Sequence, residues 1–298
     1  MTTAFVLSGG GSLGAVQVGM LQALVARGVT PDLLVGSSVG ALNAGFIAAH
    51  GFHERSVEQL ADVWVQVRRR NVFPLTPIRH AVAMAGAGPS LCSPHGLERI
   101  LRDHLPLSKL EDARIPVHVV ATDVLSGEDV LLSCGNATEA ILASAAIPGV
   151  FPAVEVGGRA SFDGGVVNNT PISHAVYLGA ERVVVLPTGY ACALDVAPAS
   201  ALASAVHTLT LLVQQRLVNE VTAYHDRVDL IVLPPLCPLS VSSSDFRHGR
   251  ALIERAHDAT ARWLDDGSDR LPHPERFLGV HGHHQGRQQA APTSGAPA

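Results

Sequence analysis

The sequence predicts an α/β domain with a mostly parallel central sheet. Short uncharged apolar runs, for example at 3–7 and 117–122, are typical of parallel strands that are buried on both faces. They alternate with longer segments in which apolar residues recur at helical spacing. The chain has 298 residues, 47% hydrophobic and 16% charged, so it can bury a sizeable core within one domain.

The first fifty residues are predicted to alternate strands and helices across two glycine-rich turns. In order, we expect a strand at 3–7, a glycine loop at 8–14, a helix to about Arg27, a strand at 33–35 and a helix at 41–49. Gly28 follows the first helix, and glycine is common just after a helix C-terminus.

The rest of the chain continues the α/β pattern. We expect helices at 54–67, 94–105, 138–145, 172–178, 200–224 and 244–264, and strands at 117–122, 130–132, 159–162, 182–186 and 229–233. Residues 147–152 should be extended because of their two prolines. The irregular apolar segment 71–94 fits a lid or pocket wall as well as it fits a surface loop. We place the folded domain at 1–265 and expect a disordered tail at 266–298, where apolar periodicity is lost.

The first candidate site is the G-x-S-x-G pentapeptide Gly36–Gly40, which lies between a predicted strand and a predicted helix. This arrangement is typical of a nucleophile elbow, in which Ser38 takes strained backbone angles and glycines two positions away relieve steric clashes. The plainer alternative is a turn in which Ser37 or Ser38 caps the helix.

The glycine loop admits two interpretations. Gly9, Gly11 and Gly14 match the dinucleotide-binding pattern G-x-G-x-x-G, and Asp32 lies near the spacing of its ribose-binding acid. However, Asp32 precedes the second strand, whereas that acid belongs at the strand's carboxyl end. We therefore favour a hydrolase over a nucleotide-binding protein.

In the hydrolase interpretation, the glycine loop lies beside the elbow, because both follow strands of one parallel sheet. Amide groups of Gly9, Gly10 or Gly11, together with that of Val39, are then candidate donors for an oxyanion hole.

An acidic turn is the third candidate. Asp163 ends a predicted strand and is followed by Gly164 and Gly165. From these residues alone a β-turn is the better interpretation. Asp123 also lies near a strand end, where an aspartate usually caps a turn.

Charge and composition exclude several classes of partner. The net charge is −5 and Lys109 is the single lysine, which argues against nucleic acid. The run Arg68–Arg70 fits a solvated helix end better than a phosphate or headgroup site. His281, His283 and His284 fit a solvated tail better than a metal site.

The cysteines and the apolar runs bear on the compartment. Scattered cysteines without a CxxC pair argue against a zinc site or disulfide framework and suit a reducing compartment; they are Cys92, Cys134, Cys192 and Cys237. The N-terminus lacks a signal-peptide pattern. The uncharged run 33–49 is interrupted by Gly, Ser and Asn, so a buried turn explains it better than a bilayer. We expect a cytoplasmic, soluble protein and leave peripheral membrane contact open.

Taken together, four motifs resemble those of the patatin-like phospholipases, a family of lipid acyl hydrolases. In chain order they are Gly9–Gly14, Gly36–Gly40, Ala143–Pro152 and Asp163–Gly165. The third, an alanine-serine run leading into Ile-Pro and Phe-Pro, is the most specific. The resemblance covers roughly residues 3–190.

This resemblance implies a three-layer α/β/α fold and a Ser-Asp dyad, with Ser38 as nucleophile and Asp163 as its base. Glycines 14, 36, 40, 164 and 165 would support the site. The implied substrate is a lipid ester or phospholipid, and no cofactor or metal is implied. One departure is Leu13, where the family usually has Arg or Lys, which removes a charge that would steady the loop or an anionic substrate.

Three alternatives stay open. An acyltransferase on the same fold would pass the acyl group to an alcohol or thiol instead of water. A Ser-His-Asp hydrolase is available in chain order through His174, His207, His225 or His248, although that fold places its elbow after several strands. A non-catalytic lipid-binding protein is the third. Oligomeric state is not readable from the sequence.

Overall fold

A central β-sheet with helices on both faces forms the molecule, which confirms the predicted α/β/α architecture. The computed structural model describes residues 1–74, 88, 90–189, 197–237, 241–270, 274 and 278. The predicted loop at 75–87 and 89, Cys192 and the histidines at 281–284 lie outside the described residues.

Parallel strands form the middle and one side of the sheet. The strands are β1 (Thr3–Leu7), β2 (Leu33–Ser37), β3 (Val117–Asp123), β4 (Asp129–Leu132), β5 (Val154–Val156), β6 (Arg159–Asp163), β7 (Arg182–Leu186) and β8 (Asp229–Val232). Their order is β5-β6-β3-β2-β1-β7-β8, with β4 also paired to β3. β3, β2, β1, β7 and β8 are parallel to their neighbours, and β4, β6 and β5 add antiparallel pairs.

The helices match the predicted segments closely, apart from one short addition at Arg69–Val72. They are α1 (Gly14–Val25), α2 (Val39–His50), α3 (Glu54–Gln66), α4 (Arg69–Val72), α5 (His95–His104), α6 (Ala137–Ser144), α7 (Ile172–Tyr177), α8 (Ala201–Tyr224) and α9 (Gly249–Asp265). Within the described ranges, none of them combines the length and the apolar character needed to cross a bilayer.

Alternation along β1 shows why three layers form. Phe5 and Leu7 join a core cluster that includes residues of α1, α2, α3 and α9. Ala4 and Val6 point to the opposite face and join a cluster with residues of α7 and α8. Both faces of the strand are therefore covered, as its lack of charged residues predicts.

Strand register brings the two glycine-rich turns together. Leu7 at the end of β1 pairs with Gly36 near the end of β2. Because parallel strands end at the same edge, the loop after β1 and the serine turn after β2 leave the sheet side by side.

The segment around Pro148 is a turn, so the expectation that residues 147–152 are extended is wrong. The amides of Val150 and Phe151 donate to the Ile147 carbonyl, at 3.0 and 2.9 Å. Gly149 adopts φ +76°, a left-handed conformation open to glycine, and this closes the turn.

Asp163 lies at the end of a β-hairpin that was not predicted from the sequence. β5 and β6 pair antiparallel through Gly157 and Gly158, whose φ values of 59° and 75° suit a type I′ turn. A Gly-Gly pair between short alternating segments is the signal that indicates this hairpin.

The last long helix, α9, ends at Asp265. Ser268–Arg270 form one further 3₁₀ turn, and Leu278 is buried in the cluster of α7 and α8. The predicted tail therefore contributes to the packed domain at Leu278.

Candidate active site

Ser38 sits at a strained turn between β2 and α2. Its backbone has φ 55° and ψ −125°, and among the described residues it is the one non-glycine with positive φ. Such conformations cost roughly 1–3 kcal/mol and cluster at functional sites. The backbone is that expected of a nucleophile elbow.

Close backbone contacts explain the two elbow glycines. A Cβ added to Gly36 would lie 2.5 Å from the Gly40 carbonyl oxygen. A Cβ on Gly40 would overlap the Leu7 carbonyl of β1. No side chain fits where α2 starts against two strands, which is why the pentapeptide needs glycine at both ends.

The Ser38 hydroxyl donates a hydrogen bond to Asp163. Oγ lies 2.6 Å from Asp163 Oδ2, and the two residues are only 7% and 5% exposed. Strand register explains how residues 125 positions apart meet: Ser37 pairs with Val120, and the next residue of β3, Ala121, pairs with Asp163. The acid thus reaches the serine on an antiparallel strand.

Several bonds hold Asp163 in place. Its Oδ1 accepts from the Gly165 amide at 2.7 Å, its own amide donates to the Ala146 carbonyl at 3.0 Å, and Thr122 Oγ1 donates to its carbonyl at 2.9 Å. Gly164 lies directly against the Val120 carbonyl, where a Cβ would overlap it. This geometry therefore requires glycine at position 164, whereas residue 165 contributes its backbone amide.

Burial raises the pKa of Asp163 from 3.8 to about 6. Hydrogen bonds from Ser38 and the Gly165 amide act in the opposite direction, because they stabilise the carboxylate. The group is therefore ionised at neutral pH but more basic than an ordinary aspartate, as a general base for a hydroxyl requires.

The glycine loop lies against the serine, but Gly9 does not have a free amide. Its N–H donates to the Asn169 carbonyl at 3.0 Å, so the prediction that Gly9 is an oxyanion donor is wrong. Within the described part of the chain, the amides of Gly10, Gly11 and Val39 have no acceptor. These three remain as donors for a ligand.

Buried polar side chains that were not predicted as part of the site anchor this loop. Gln17 Nε2 donates to the carbonyls of Ser8 and Leu186, at 2.8 and 2.9 Å. Asn43 Nδ2 donates to Gln17 Oε1, and Trp64 Nε1 donates to Asn43 Oδ1. Gln17 and Asn43 are fully buried in otherwise apolar helices, and that isolation is the available sequence signal.

Ser144 is a second residue that was missed. Its Oγ accepts from the Ser38 amide at 2.8 Å and donates to the Val120 carbonyl at 2.6 Å. It therefore ties the strained elbow to β3. The sequence motif at 143–152 identified this segment as important but did not indicate that Ser144 bonds to the elbow.

An apolar pocket opens at Ser38. The cavity measures about 100 Å³, and Gly11, Ser38 and Val39 line it at the site. Gly14 packs directly behind two of the lining residues, Val39 and Trp64. A Cβ at position 14 would overlap both of their side chains. Much of the lining is apolar side chains from α2, α3, α5 and neighbouring turns, including Leu42, Leu60, Trp64, Leu101, Phe151 and Phe246.

Other candidate residues lie elsewhere. Asp32 accepts from the Thr3 amide at 2.7 Å, at the opposite edge of the sheet from the glycine loop. Asp123 accepts from the amides of Leu125 and Ser126 and caps a turn. In the ranges covered by the structure, no group of three or more His, Cys, Asp or Glu side chains is arranged to hold a metal.

Comparison with known proteins places these features in a family. The family model for patatin-like phospholipase matches residues 5–176. Over 193 residues, 63% of this chain and 13% of the relative, the chain is 29% identical to patatin-like phospholipase domain-containing protein 6 of Homo sapiens. It is 30% identical over 181 residues to an uncharacterized NTE family protein of Mycobacterium bovis, covering 61% of this chain and 47% of the relative.

The chain therefore spans less than half the length of these relatives. Among solved structures, VipD from Legionella pneumophila is similar with a TM-score of 0.48 and 17% identity, covering 89% of this chain and 67% of VipD. The family match covers more than half of the chain, and the protein belongs to the patatin-like phospholipase family.

Proposed function

We propose that the protein is a serine acyl hydrolase that cleaves fatty-acyl esters of lipids through a Ser38-Asp163 dyad. The observation that carries this proposal is the 2.6 Å bond from Ser38 Oγ to Asp163 Oδ2, buried at the mouth of an apolar pocket. Membership of the family supports a lipid substrate.

In the proposed reaction, Asp163 takes the hydroxyl proton as Ser38 Oγ attacks the ester carbonyl. The tetrahedral intermediate collapses, the bond to the alcohol breaks, and Asp163 returns the proton to the leaving alcohol. Water, deprotonated by the same carboxylate, then attacks the acyl-enzyme. The bond from the acyl carbon to Ser38 Oγ breaks, Asp163 returns the proton to Ser38, and the fatty acid leaves. The raised pKa of Asp163 supports both proton transfers.

The developing oxyanion would be bound by the amides of Gly10, Gly11 and Val39. Their lack of an acceptor in the described part of the chain supports this role. Removing one such donor typically costs on the order of 10²–10³ in rate, so the loop matters to catalysis alongside the dyad.

The apolar pocket would hold the acyl chain. Leu13 packs against the apolar core, so the glycine loop offers no cation there for an anionic headgroup. This favours neutral lipid esters over substrates that depend on a charge contact at this position. Peripheral contact with a membrane would be the route to such substrates.

The direct contact between serine and carboxylate also favours the dyad over a histidine-based triad. His174 Nε2 lies 2.8 Å from Asp129, and His248 pairs with Asp245. Substituting His174, His207, His225 and His248 one at a time should leave hydrolysis intact.

Labelling with a fluorophosphonate probe and hydrolysis of p-nitrophenyl octanoate test the proposal. Ser38→Ala should abolish labelling, and Asp163→Ala should lower turnover on the order of 10⁴-fold. The matched controls are Ser37→Ala, whose Oγ has no hydrogen-bond partner among the described residues, and Asp123→Ala. Both should stay near wild type.

Wild-type turnover in folded Asp163→Ala would contradict the dyad. Adding acceptor alcohols to the assay distinguishes hydrolysis from acyl transfer, because a transferase would yield the new ester instead of the free acid. The absence of both labelling and turnover in the wild type would indicate a non-catalytic lipid-binding protein.

A further inference from the structure

We propose that the pocket ends in a wall formed by Phe46, Val63 and His104, which restricts the substrate to medium-chain acyl groups of roughly eight to ten carbons. This inference deepens the proposed function and rests on it for the identity of the bound chain. It assigns a specificity role to residues outside the dyad and the glycine loop.

The wall separates the apolar pocket from a depression on the outer surface. Phe46, Val63 and His104 line both spaces. The remaining lining of the depression is mostly polar, including His50, Gln59, Asp62, Gln66, Arg102 and Asp103. The pocket and the hydrated surface are therefore one side chain apart at this point.

Spacing along α2 gives the distance from the nucleophile to the wall. Ser38, Leu42 and Phe46 follow each other at four-residue intervals, and all three line the pocket. With a rise of about 1.5 Å per residue, Phe46 lies roughly 12 Å along the helix from Ser38. An extended chain with bonds of about 1.5 Å advances roughly 1.3 Å per carbon, so about nine carbons reach the wall.

The cavity volume shows that the bound chain has limited room. The pocket measures about 100 Å³, and one water-sized group needs roughly 10–15 Å³. The distance from Ser38 to the wall then sets the number of carbons that fit.

Longer chains meet a polar surface beyond the wall. Each methylene that fails to be buried forfeits roughly a fourfold gain in binding. The catalytic efficiency kcat/KM should therefore rise with chain length until the pocket is full, and then level off or fall. Val63 is half-buried and His104 is exposed, so trimming either one opens the wall without emptying the core.

The experiment measures kcat/KM for p-nitrophenyl esters of four to sixteen carbons. The wild type should peak at roughly eight to ten carbons. Val63→Ala, His104→Ala and the double variant should raise the efficiency for chains of fourteen and sixteen carbons, relative to octanoate, by roughly fifteenfold, the effect of about two more buried methylenes. Val65→Ala is the matched control, because it is the same change on α3 at a residue that lines neither space.

A second readout does not depend on catalysis. Trp64 lines the pocket, and the chain has only one other tryptophan, Trp263. In a Ser38→Ala, Trp263→Phe background, binding of saturated fatty acids of six to sixteen carbons should change the fluorescence of Trp64. The dissociation constant from these titrations should be lowest near ten carbons. Adding Val63→Ala should move the optimum to longer chains.

The two readouts separate the possible failures. Chain-length-dependent quenching without any Ser38-dependent turnover would contradict the proposed function and retain the wall. A wild-type optimum at sixteen carbons, or wall variants with the wild-type profile in both readouts, would overturn the wall while leaving the dyad intact.

Discussion

The two residues of the proposed dyad, Ser38 and Asp163, are positioned in different ways. Ser38 is positioned within the first fifty residues, by β1, β2, the start of α2 and the glycines between them. Asp163 lies on β6, an antiparallel strand that pairs with β3 for only three residues. Local backbone geometry thus places the hydroxyl, whereas long-range contacts place the carboxylate.

The motif at 143–152 connects these two residues. Ser144 Oγ accepts from the Ser38 amide, and two residues later the Ala146 carbonyl accepts from the Asp163 amide. One turn at the end of α6 therefore contacts both residues of the proposed dyad. This explains why that segment accompanies the elbow and the acidic turn in the sequence.

The largest effect on stability should come from disrupting the turn that positions Ser38. Gly40→Ala forces a Cβ onto the Leu7 carbonyl and should reduce the free energy of unfolding by about 3 kcal/mol, in line with overpacked cores. Gly45→Ala, the same change in the same helix, meets only the flexible end of Ile141 and should be nearly neutral. Urea denaturation of both variants measures this. Equal stability of the two variants would contradict the claim that the turn at Ser38 requires glycine at position 40.

Removing the Ser144 hydroxyl, which links the elbow to β3, should give an intermediate effect. Ser144→Ala removes the acceptor for the Ser38 amide and the donor to Val120, so it should lower kcat about 10- to 100-fold, with about 1–3 kcal/mol of destabilisation. Ser161→Ala is the control, since among the described residues the hydroxyl of this buried serine makes a single long bond, 3.4 Å to the Arg159 carbonyl of its own strand. Steady-state kinetics at constant pH measure kcat for both variants. An unchanged kcat in Ser144→Ala would mean that the elbow holds its shape without this contact.

The smallest effects are changes with pH, which report on Asp163 alone. Because burial raises the pKa of Asp163 to about 6, kcat/KM should fall below that pH, about tenfold per unit, as the base becomes protonated. A pH-rate profile that stays flat down to pH 5 would contradict a role for Asp163 as base.

The same pKa predicts how stability depends on pH. The folded state binds this proton more tightly than the unfolded state, whose pKa is near 3.8. The contribution of Asp163 to stability is therefore greatest below about pH 4 and is lost as pH rises through about 6, by about 1–3 kcal/mol. Denaturation midpoints of wild type and Asp163→Asn between pH 4 and 8 measure this, and the variant should lack that slope.

Much of the site could be predicted because its signals are local. Gly36, Gly40 and Ser38 identify the elbow, since few other patterns produce a strand turning directly into a helix around a serine. Asp163 was identified only through the combined motifs, because an aspartate before two glycines is also an ordinary turn. The β5–β6 hairpin that carries it was not predicted, although Gly157 and Gly158 are its signal.

The supporting contacts could not be predicted, because they join residues far apart in the chain. Gln17 and Asn43 are single polar residues whose partners appear only when α1 and α2 pack together beneath the loop. Gly9 was predicted as a donor, yet its amide is used by Asn169, about 160 positions away. Such pairings depend on which elements become neighbours.

The α/β architecture, the strained serine turn and the glycines that permit close backbone approach could all be predicted from the residues alone. These follow from steric rules that act over a few residues. Three features emerge only in the folded molecule: the amides that remain free, the link from Ser144 between the elbow and β3, and the distance that the pocket extends from Ser38. Those features depend on packing between distant segments, where hydrogen bonds and cavities are set by the register of β6 on β3 and by the contacts of α2, α3 and α5.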